Sequence, residues 1–460
     1  MTGILYEKKG GGRRAEGIGN ANTQGILYKL GRANIQGRQM PKVRFIHTAD
    51  LHLDTPFKGL SRMNSDLSKR LKDATFRSFR NIVDLCSERK VDFLIISGDI
   101  FDSENKSLAA QLRFTREIKP LSGKGIPAYF ICGNHDPLKS WMDTIDLPGN
   151  VFRFGSSGGQ FHTFSKAGAA IADIYGISFS EKAITRNLAA EFKLAPDPAP
   201  VSIAVLHGTI GSPGPHENYA PFTREDVANK GFDYWAMGHI HKKRIVSASN
   251  PAILYPGNPQ GRDFGETGEK GCFLVEISEG HVPAVEFIPT QIIRFEILEI
   301  DMSAVSKIES LRDKIKEALE KSENYSEKVD YILRINLNGR TGLHKSINDK
   351  SEISELVDFL NEGVPDQQYL RWIDQVHVNT RPEIDIDRIK NGSGFPAEVL
   401  KSFDIYSGDN DKLADLIKTA EADFLNAQVK KETGDFNEYS AIEVIEKARM
   451  ILVDKLISEE

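Results

Sequence analysis

Cysteine is scarce in this chain of 460 residues: Cys86, Cys132 and Cys272 are the only three, and they form no CxxC pair. That weighs against a disulfide framework and against a thiolate zinc site, and it favours a reducing compartment, expected to be the cytoplasm. No run approaches the roughly 18–20 uninterrupted apolar residues that span a bilayer, which excludes an integral membrane protein. Serine-hydrolase chemistry is disfavoured, and a GxxxxGK[ST] phosphate loop for a built-in ATPase is absent. Positive charge is not in excess either. The net charge is −6, and it is unevenly spread. Residues 1–40 hold 7 Lys+Arg against 2 Asp+Glu, residues 41–290 hold 29 against 28, and residues 291–460 hold 23 against 35. A uniformly basic nucleic-acid binder is thereby excluded, and any phosphate-gripping surface has to be local.

What is present is a soluble globular composition, 40% apolar and 27% charged, at a length that implies two to three domains. Residues 1–40 carry the run Gly10-Gly11-Gly12-Arg13-Arg14, repeat Gly-Ile-Leu-Tyr at 3–6 and 25–28, and show no helical or strand period. They are expected to be a disordered tail or an extension upstream of a true start at Met40. From Lys42 short apolar runs alternate with helical stretches. Val43–Ile46, Phe93–Ile96, Ala128–Ile131, Ile203–Leu206 and Tyr234–Met237 predict strands, and the spacing of Leu67, Leu71, Phe79, Ile82, Val83 and Cys86 predicts a helix over 67–89, with another over 108–118. Strands apolar on both parities are buried on both faces, which fits a layered α/β domain over 41–290. Residues 291–390 read as a small β-α-β-α-β domain, with Val329 to Leu337 alternating as a half-buried strand. After a loop at 391–394, residues 391–460 read as a helical region. Two amphipathic helices, marked by Leu413 to Phe424 and Ile442 to Leu456, are separated by a turn at Thr433-Gly434.

The five strands over 41–290 share one property. Each runs into side chains that can hold a metal: Asp50-Leu51-His52, Gly98-Asp99, Gly133-Asn134-His135-Asp136, His207-Gly208, and Gly238-His239-Ile240-His241. Ligands of open α/β sheets gather beyond the carboxyl ends of strands, so five such loops can converge on one crevice. Carboxylate, amide and imidazole without thiolate suit manganese, iron or zinc. Two divalent ions bring +4 and the carboxylates of Asp50 and Asp99 return −2. The remaining +2 matches a hydroxide plus a phosphodiester, which favours phosphoester hydrolysis over redox chemistry.

The series DLH, GD, GNHD, HG, GHIH, in this order, resembles the calcineurin-like metallophosphoesterases. The stretches VRFIHTADLHLD (Val43–Asp54) and YPGNPQGRDFGETGEKG (Tyr255–Gly271) resemble the SbcD-like DNA repair nucleases, particularly their YhaO-type bacterial branch. The resemblance is strong over 42–290 and loose over 291–390. It implies a four-layer α/β/β/α sandwich with a small α/β cap and a helical C-terminal tail. It also implies two divalent ions, expected to be manganese, and a metal-activated hydroxide attacking the DNA phosphodiester as exonuclease or endonuclease. By the same resemblance Asp50, His52, Asp99 and His241 hold one ion, and Asp99, Asn134, His207 and His239 the other, with Asp99 bridging. His135 contacts the scissile phosphate and protonates the leaving oxygen, and Asp136 orients it. The implied partners are DNA, an SMC-like ATPase subunit and a second copy of the chain.

Blander readings stand beside these. A purely structural role for all seven ligands is disfavoured, because buried charge demands partners. His47, at a strand end, reads as packing or as support for a ligand. Lys242, Lys243 and Arg244, and likewise Arg262, either grip phosphates or form a solvated turn. Tyr219 and Phe222 either stack on an unpaired base or pack a loop. His162, His216, His281, His344 and His377 carry no spacing pattern, and the C-terminal helices are either a packing layer or, preferred here, a docking site. The rival functions are a phosphoesterase for a small nucleotide or phosphodiester, and a non-catalytic scaffold subunit with a vestigial site.

Overall fold

The structure is a computed structural model that describes residues 41–55, 57, 65–102, 107–141, 146–211, 219–303, 305–321, 328–362 and 369–407, with positions 412, 415, 449, 451, 452 and 455. The expectations for residues 1–40, for His216 and for the Thr433-Gly434 turn lie outside the described residues, as do most residues of the two expected C-terminal helices.

The strands, and the helices of five residues or more, up to residue 289 are, in chain order, β1 (Lys42–Thr48), α1 (Ser65–Glu88), β2 (Phe93–Ser97), α2 (Leu108–Ile118), β3 (Ala128–Ile131), β4 (Val151–Arg153), β5 (Phe161–Lys166), β6 (Ala169–Ile177), β7 (Val201–His207), α3 (Arg224–Ala228), β8 (Tyr234–Gly238), β9 (Arg244–Ser247), β10 (Ala252–Tyr255), β11 (Gly271–Ser278) and β12 (Ala284–Pro289). They build two six-stranded sheets, ordered β12-β11-β1-β2-β3-β4 and β5-β6-β7-β8-β10-β9. Strands β1 to β4 pair in parallel in the first, and β6, β7, β8 and β10 in the second, with antiparallel strands at the margins.

Alternation along each strand explains the layering. Val43, Phe45, Phe93 and Ile95 point between the sheets and meet Ile203, Val205, Tyr234 and Ala236. Their neighbours Ile46, Leu94 and Ile96 point outward and pack with Phe79, Val83 and Phe114 of α1 and α2. On the far side Leu206, Trp235 and Met237 pack with Leu188, Phe192 and Val227. Both parities are apolar because both faces are covered, which makes the four layers α/β/β/α. Each fully buried side chain of this size contributes roughly 1.5–3 kcal/mol. The helices start where short polar side chains cap them: Ser107 accepts from the Ala110 amide ahead of α2, and Thr223 with Asp226 closes a capping box on α3.

Further along, β13 (Ile293–Asp301), α4 (Ile308–Lys321), β14 (Asp330–Arg340), α5 (Lys350–Leu360) and β15 (Arg371–Arg381) follow in the expected β-α-β-α-β order, and the strands form a three-stranded sheet, β13-β14-β15. The start of β14 differs from a half-buried strand. Ile332 is as buried as Tyr331 and Leu333, because it packs with Leu67 and Leu71 of α1. Arg70 of α1 donates to both carboxylate oxygens of Asp330 at 3.1 Å. Helix α6 (Phe395–Ser407) follows the 391–394 loop, earlier than the helix expected from Leu413. Gly394 and Pro396 suit its start, since proline is tolerated in a first helical turn. The described residues divide into two compact units. One takes those up to Asp301 with those of Leu311–Leu337 and Ile347–Asn379, and the other takes Met302–Ser310, Asn338–Ser346 and those from Thr380 onward. No helix among the described residues is long and apolar enough to cross a membrane.

Candidate metal centre

The carboxyl ends of β1, β2, β3, β7 and β8 meet at one edge of the sandwich. Beyond their strands, the chains after β1 and β2 stay paired: the Asp50 amide donates to Gly98 O at 3.1 Å, His52 to Asp99 O at 3.1 Å, and Leu53 to Ile100 O at 2.8 Å. Asp50, His52, Asp99 and His239 all sit at positive φ, of 51°, 42°, 50° and 100°. Four non-glycine residues in this sparsely populated region, clustered together, mark a backbone held against its preference for the sake of side-chain placement. Gly133 is required by the close approach: a Cβ there would strike the Asp99 carboxylate.

Three groups of ligand atoms result; one, of His52, Asp102 and His135, shares His52 with another, and the other two take the expected ligands. Those of Asp50, His52 and His241 lie within 4.8 Å of one another, and so do those of Asp99, His207 and His239. Asn134 joins the second group, its Oδ1 lying 3.0 Å from His207 Nε2 and 3.2 Å from His239 Nδ1. Asp99 Oδ2 is 3.3 Å from His207 Nε2 and 3.9 Å from His52 Nε2, so one carboxylate oxygen lies between the groups. Asp50 accepts from the His239 amide at 3.0 and 3.1 Å through its two oxygens. Among the described residues neither Asp50 nor Asp99 has a lysine or arginine ion-pair partner; both face imidazoles.

The donor set fits a pair of divalent cations. His52 and His241 bring their Nε2 atoms to 3.0 Å, while the Nδ1 atoms face carboxylates, Asp102 at 3.1 Å and Glu266 at 2.7 Å. With protons on both Nδ1 atoms, two lone pairs face each other in a buried place, an arrangement a cation satisfies. Burial pushes His52 down to about 3, with Arg262 and His241 adding to it against the pull of Asp102. Burial likewise takes His239 down to about 3, with His207 adding to it, so both rings are neutral and ligand-competent. His207 differs: burial opposes its charge, but Asp99 outweighs burial and lifts the ring to about 9. Burial pushes the Asp50 carboxyl up against the pull of His241 and His207, whereas for Asp99 the imidazoles overcome burial and hold it well below the carboxylate range.

The remaining expected residues fall out as follows. His135 donates its amide to Asp99 Oδ1 at 2.9 Å, and its Nδ1 lies 2.9 Å from the Asp102 carbonyl. Asp136 is fully buried and accepts from the amides of Gly133 at 2.9 Å and Ile100 at 3.2 Å, so it shapes the loop that carries His135. His47 is buried between the sheets, where the Tyr234 hydroxyl at 2.9 Å and Ser97 Oγ at 3.1 Å hold its nitrogens. Since Ser97 Oγ donates to Ala236 O, it accepts from His47 Nε2, and Tyr234 donates to Nδ1. Burial holds that ring neutral, down to about 3. Lys242 and Arg244 line the cleft of about 750 Å³ onto which the centre opens, with His135, Tyr219, Lys182 and Lys270. Lys243 instead sets its Nζ 3.9 Å over the Phe287 ring. Arg262 pairs with Asp102 and Glu266. Phe222 is in the core, while the Tyr219 ring lies 5.4 Å from that of His239. His162 packs among Tyr129, Phe152 and Phe154; His281 and His377 are exposed; His344 bonds Thr380 Oγ1. Sequence reasoning missed Asp102, Glu266, Lys182 and Lys270. Asp102 ends the same GDIFD stretch as Asp99, and Glu266 and Lys270 lie within Tyr255–Gly271, so a signal existed for those three; an exposed lysine such as Lys182 carries none.

Comparison with known proteins agrees with this architecture. Residues 43–243 match the calcineurin-like phosphoesterase family, and residues 295–381 match the middle domain of metallophosphoesterase YhaO. The chain belongs to the calcineurin-like metallophosphoesterases, hydrolases built around a two-metal centre. Within them it is YhaO-like. It is 33% identical over 412 residues to the uncharacterized metallophosphoesterase YhaO of Bacillus subtilis (strain 168), covering 90% of this chain and 97% of that one. More distant relatives are the DNA double-strand break repair proteins Mre11 of Sulfolobus acidocaldarius, 24% identical over 66% of this chain and 77% of the relative, and of Sulfurisphaera tokodaii, 26% identical over 70% and 79%.

Proposed function

We propose that this chain is a two-metal phosphodiesterase that cleaves DNA in repair, with manganese as its working ion. The observation that carries the reading is the single Asp99 oxygen lying between two largely buried groups of imidazole, carboxylate and amide donors. Two bound divalent ions supply Lewis acidity there, lowering the pKa of a water and offsetting charge on phosphate. The protein's own residues do the rest. Asp50, His52 and His241 would hold one ion, Asn134, His207 and His239 the other, and Asp99 would serve both. His135 is fixed through Nδ1–H to the Asp102 carbonyl, which leaves Nε2 as the nitrogen that can face the substrate. Protonated there, the ring acts as the acid that hands a proton to the leaving oxygen. Asp136 keeps the loop under it in place.

The choice of DNA is supported by the Mre11 relatives and by the cations on the cleft wall: Lys182, Lys242 and Arg244 can each neutralise a phosphate. Tyr219 offers a ring beside the centre. The three cysteines are buried and free, which suits a cytoplasmic setting. An SMC-like ATPase subunit and a second copy of the chain complete the proposed assembly.

A nuclease assay on defined duplex, single-stranded and hairpin DNA, with manganese, magnesium or chelator, tests this. Manganese-dependent cleavage that is lost in Asp99→Ala is expected. Hydrolysis of bis-p-nitrophenyl phosphate alone, with no DNA binding at low salt, would move the substrate to a small phosphodiester. A chain that binds no metal and cleaves neither substrate would be a scaffold.

A further inference from the structure

The stretch Tyr255–Gly271 has no part in the reaction above, yet its polar residues converge on one neighbour. Asn258, Arg262, Glu266 and Lys270 recur every four residues and all reach His241 or the carboxylate behind it. The Asn258 amide donates to His241 O at 3.3 Å and its Nδ2 to Glu266 Oε2 at 2.7 Å. Lys270 Nζ donates to His241 O at 3.0 Å. Glu266 Oε1 lies 2.7 Å from His241 Nδ1, and Arg262 Nη2 donates to that same oxygen at 2.8 Å. Gly257, at φ 77°, permits the wrap: a Cβ there would come within 2.7 Å of His241 O.

A second arm reaches the other imidazole. Arg262 Nη1 donates to Asp102 Oδ1 at 2.9 Å, and that oxygen lies 3.1 Å from His52 Nδ1. One guanidinium therefore ties down two carboxylates: Glu266 bonds the Nδ1 of His241, and Asp102 stands 3.1 Å from the Nδ1 of His52. Arg262 Nη2 also lies 3.0 Å from His241 Nδ1, but two N–H groups cannot bond each other. The shorter, charge-assisted contact to Glu266 decides that Nδ1 carries the proton. We infer that Asp102, Arg262 and Glu266 form a positioning unit that locks the tautomer and ring angle of His52 and His241, so that both Nε2 lone pairs meet one divalent cation and make this the tighter half of the centre.

The inference rests on the two-metal reading above. On the other half, His207 backs onto a neutral acceptor, Ser97 O at 2.9 Å. A carboxylate behind an imidazole raises its basicity as a ligand, and losing such a partner typically costs about 10–100-fold in metal affinity. The unit also sums to one negative charge, two carboxylates against one guanidinium, which favours a cation beside it.

Calorimetric titration of the cation-free full chain with Mn²⁺ tests this on wild type, Glu266→Ala, Glu266→Gln and Asp102→Ala, alongside thermal melting of the cation-free proteins. Wild type is expected to take two ions in a tight and a weaker step. Glu266→Ala and Asp102→Ala should weaken the tight step by about 10–100-fold and leave the weaker step and the melting point unchanged. Asp102→Ala keeps the backbone carbonyl on His135, and Glu266→Gln should recover part of the loss, because its amide oxygen still accepts from Nδ1. An unaltered tight step in both alanine variants overturns the inference alone. Equal weakening of both steps with a lowered melting point also overturns it, reducing the unit to scaffold. A wild-type chain that takes up no Mn²⁺ overturns the two-metal reading, and this inference with it.

Discussion

The two halves of the proposed metal centre each set two imidazoles beside Asp99, with the Asp50 carboxylate in one and the Asn134 amide in the other, and they differ in what stands behind the imidazoles. Behind His52 and His241 are the carboxylates of Asp102 and Glu266, joined by Arg262; behind His207 is a main-chain carbonyl at the end of β2. The protonation states differ in parallel. Burial leaves His52 neutral, down to about 3, whereas Asp99 outweighs burial at His207 and lifts it to about 9. One half is thus held ready for a cation, and the other holds a proton that a cation must displace. Similar ligand sets can therefore hide unequal sites, because a histidine's second nitrogen sets what the first can do.

The comparison breaks most completely at the residue both halves share. Asp99→Ala should bring hydrolysis down to that of chelator-treated wild type and weaken both steps of a manganese titration; a variant that loses only one step would end the bridging role. His135→Ala should spare both halves, keeping two ions while hydrolysis falls by about 10²–10⁴-fold, as for loss of a general acid. Metal analysis of that variant is decisive, since a missing ion would make His135 a ligand.

Acidity should separate the halves. In the cation-free protein His207 is protonated below about 9, so a cation at that half competes with a proton over the whole range below it. Affinity there should fall about tenfold per pH unit between pH 8 and 6, while the half containing His52, neutral down to about 3, shows no matching slope from that ring. Manganese titrations at three pH values would read this, and parallel slopes would erase the distinction. A smaller effect is expected on stability. Saturating manganese, at a hundredfold excess over its dissociation constant, should stabilise the fold by about 2.7 kcal/mol per site, visible as a raised melting temperature. Smallest of all is the cleft wall: Lys242→Ala and Arg244→Ala should each lower the salt dependence of DNA binding by about one ion, while Lys243→Ala, whose ammonium covers Phe287, should leave it unchanged.

Much of the sandwich is legible in the order of residues. The strands at Phe93 and Ala128 begin where their apolar runs begin, because a strand covered on both faces needs apolar residues at both parities. The ligand-bearing loops follow them at once, so their convergence can be read from topology alone. The start of β14 is less legible, because Ile332 is buried by α1, more than 250 residues nearer the N-terminus. Lys242 and Lys243 are chemically identical neighbours, and only the ring beneath one of them separates their roles. Helix α6 has the right spacing at Phe395, Val399 and Phe403, but it stands close behind a Gly-Ser-Gly turn that reads as loop.

Local chemistry was enough to settle which residue types end each strand, in what order, and that they suit hard or borderline cations; those properties depend on periodicity and on donor atoms that travel with the chain. Packing alone settled which ring nitrogens face one another. His52 and His241 stand 189 residues apart, on loops of two different sheets, and reach 3.0 Å only after the sandwich closes. The carboxylates behind them, and the guanidinium that pins both, come from still other loops. Such a distance depends on how two sheets pack through their buried side chains, and no window along the chain contains it.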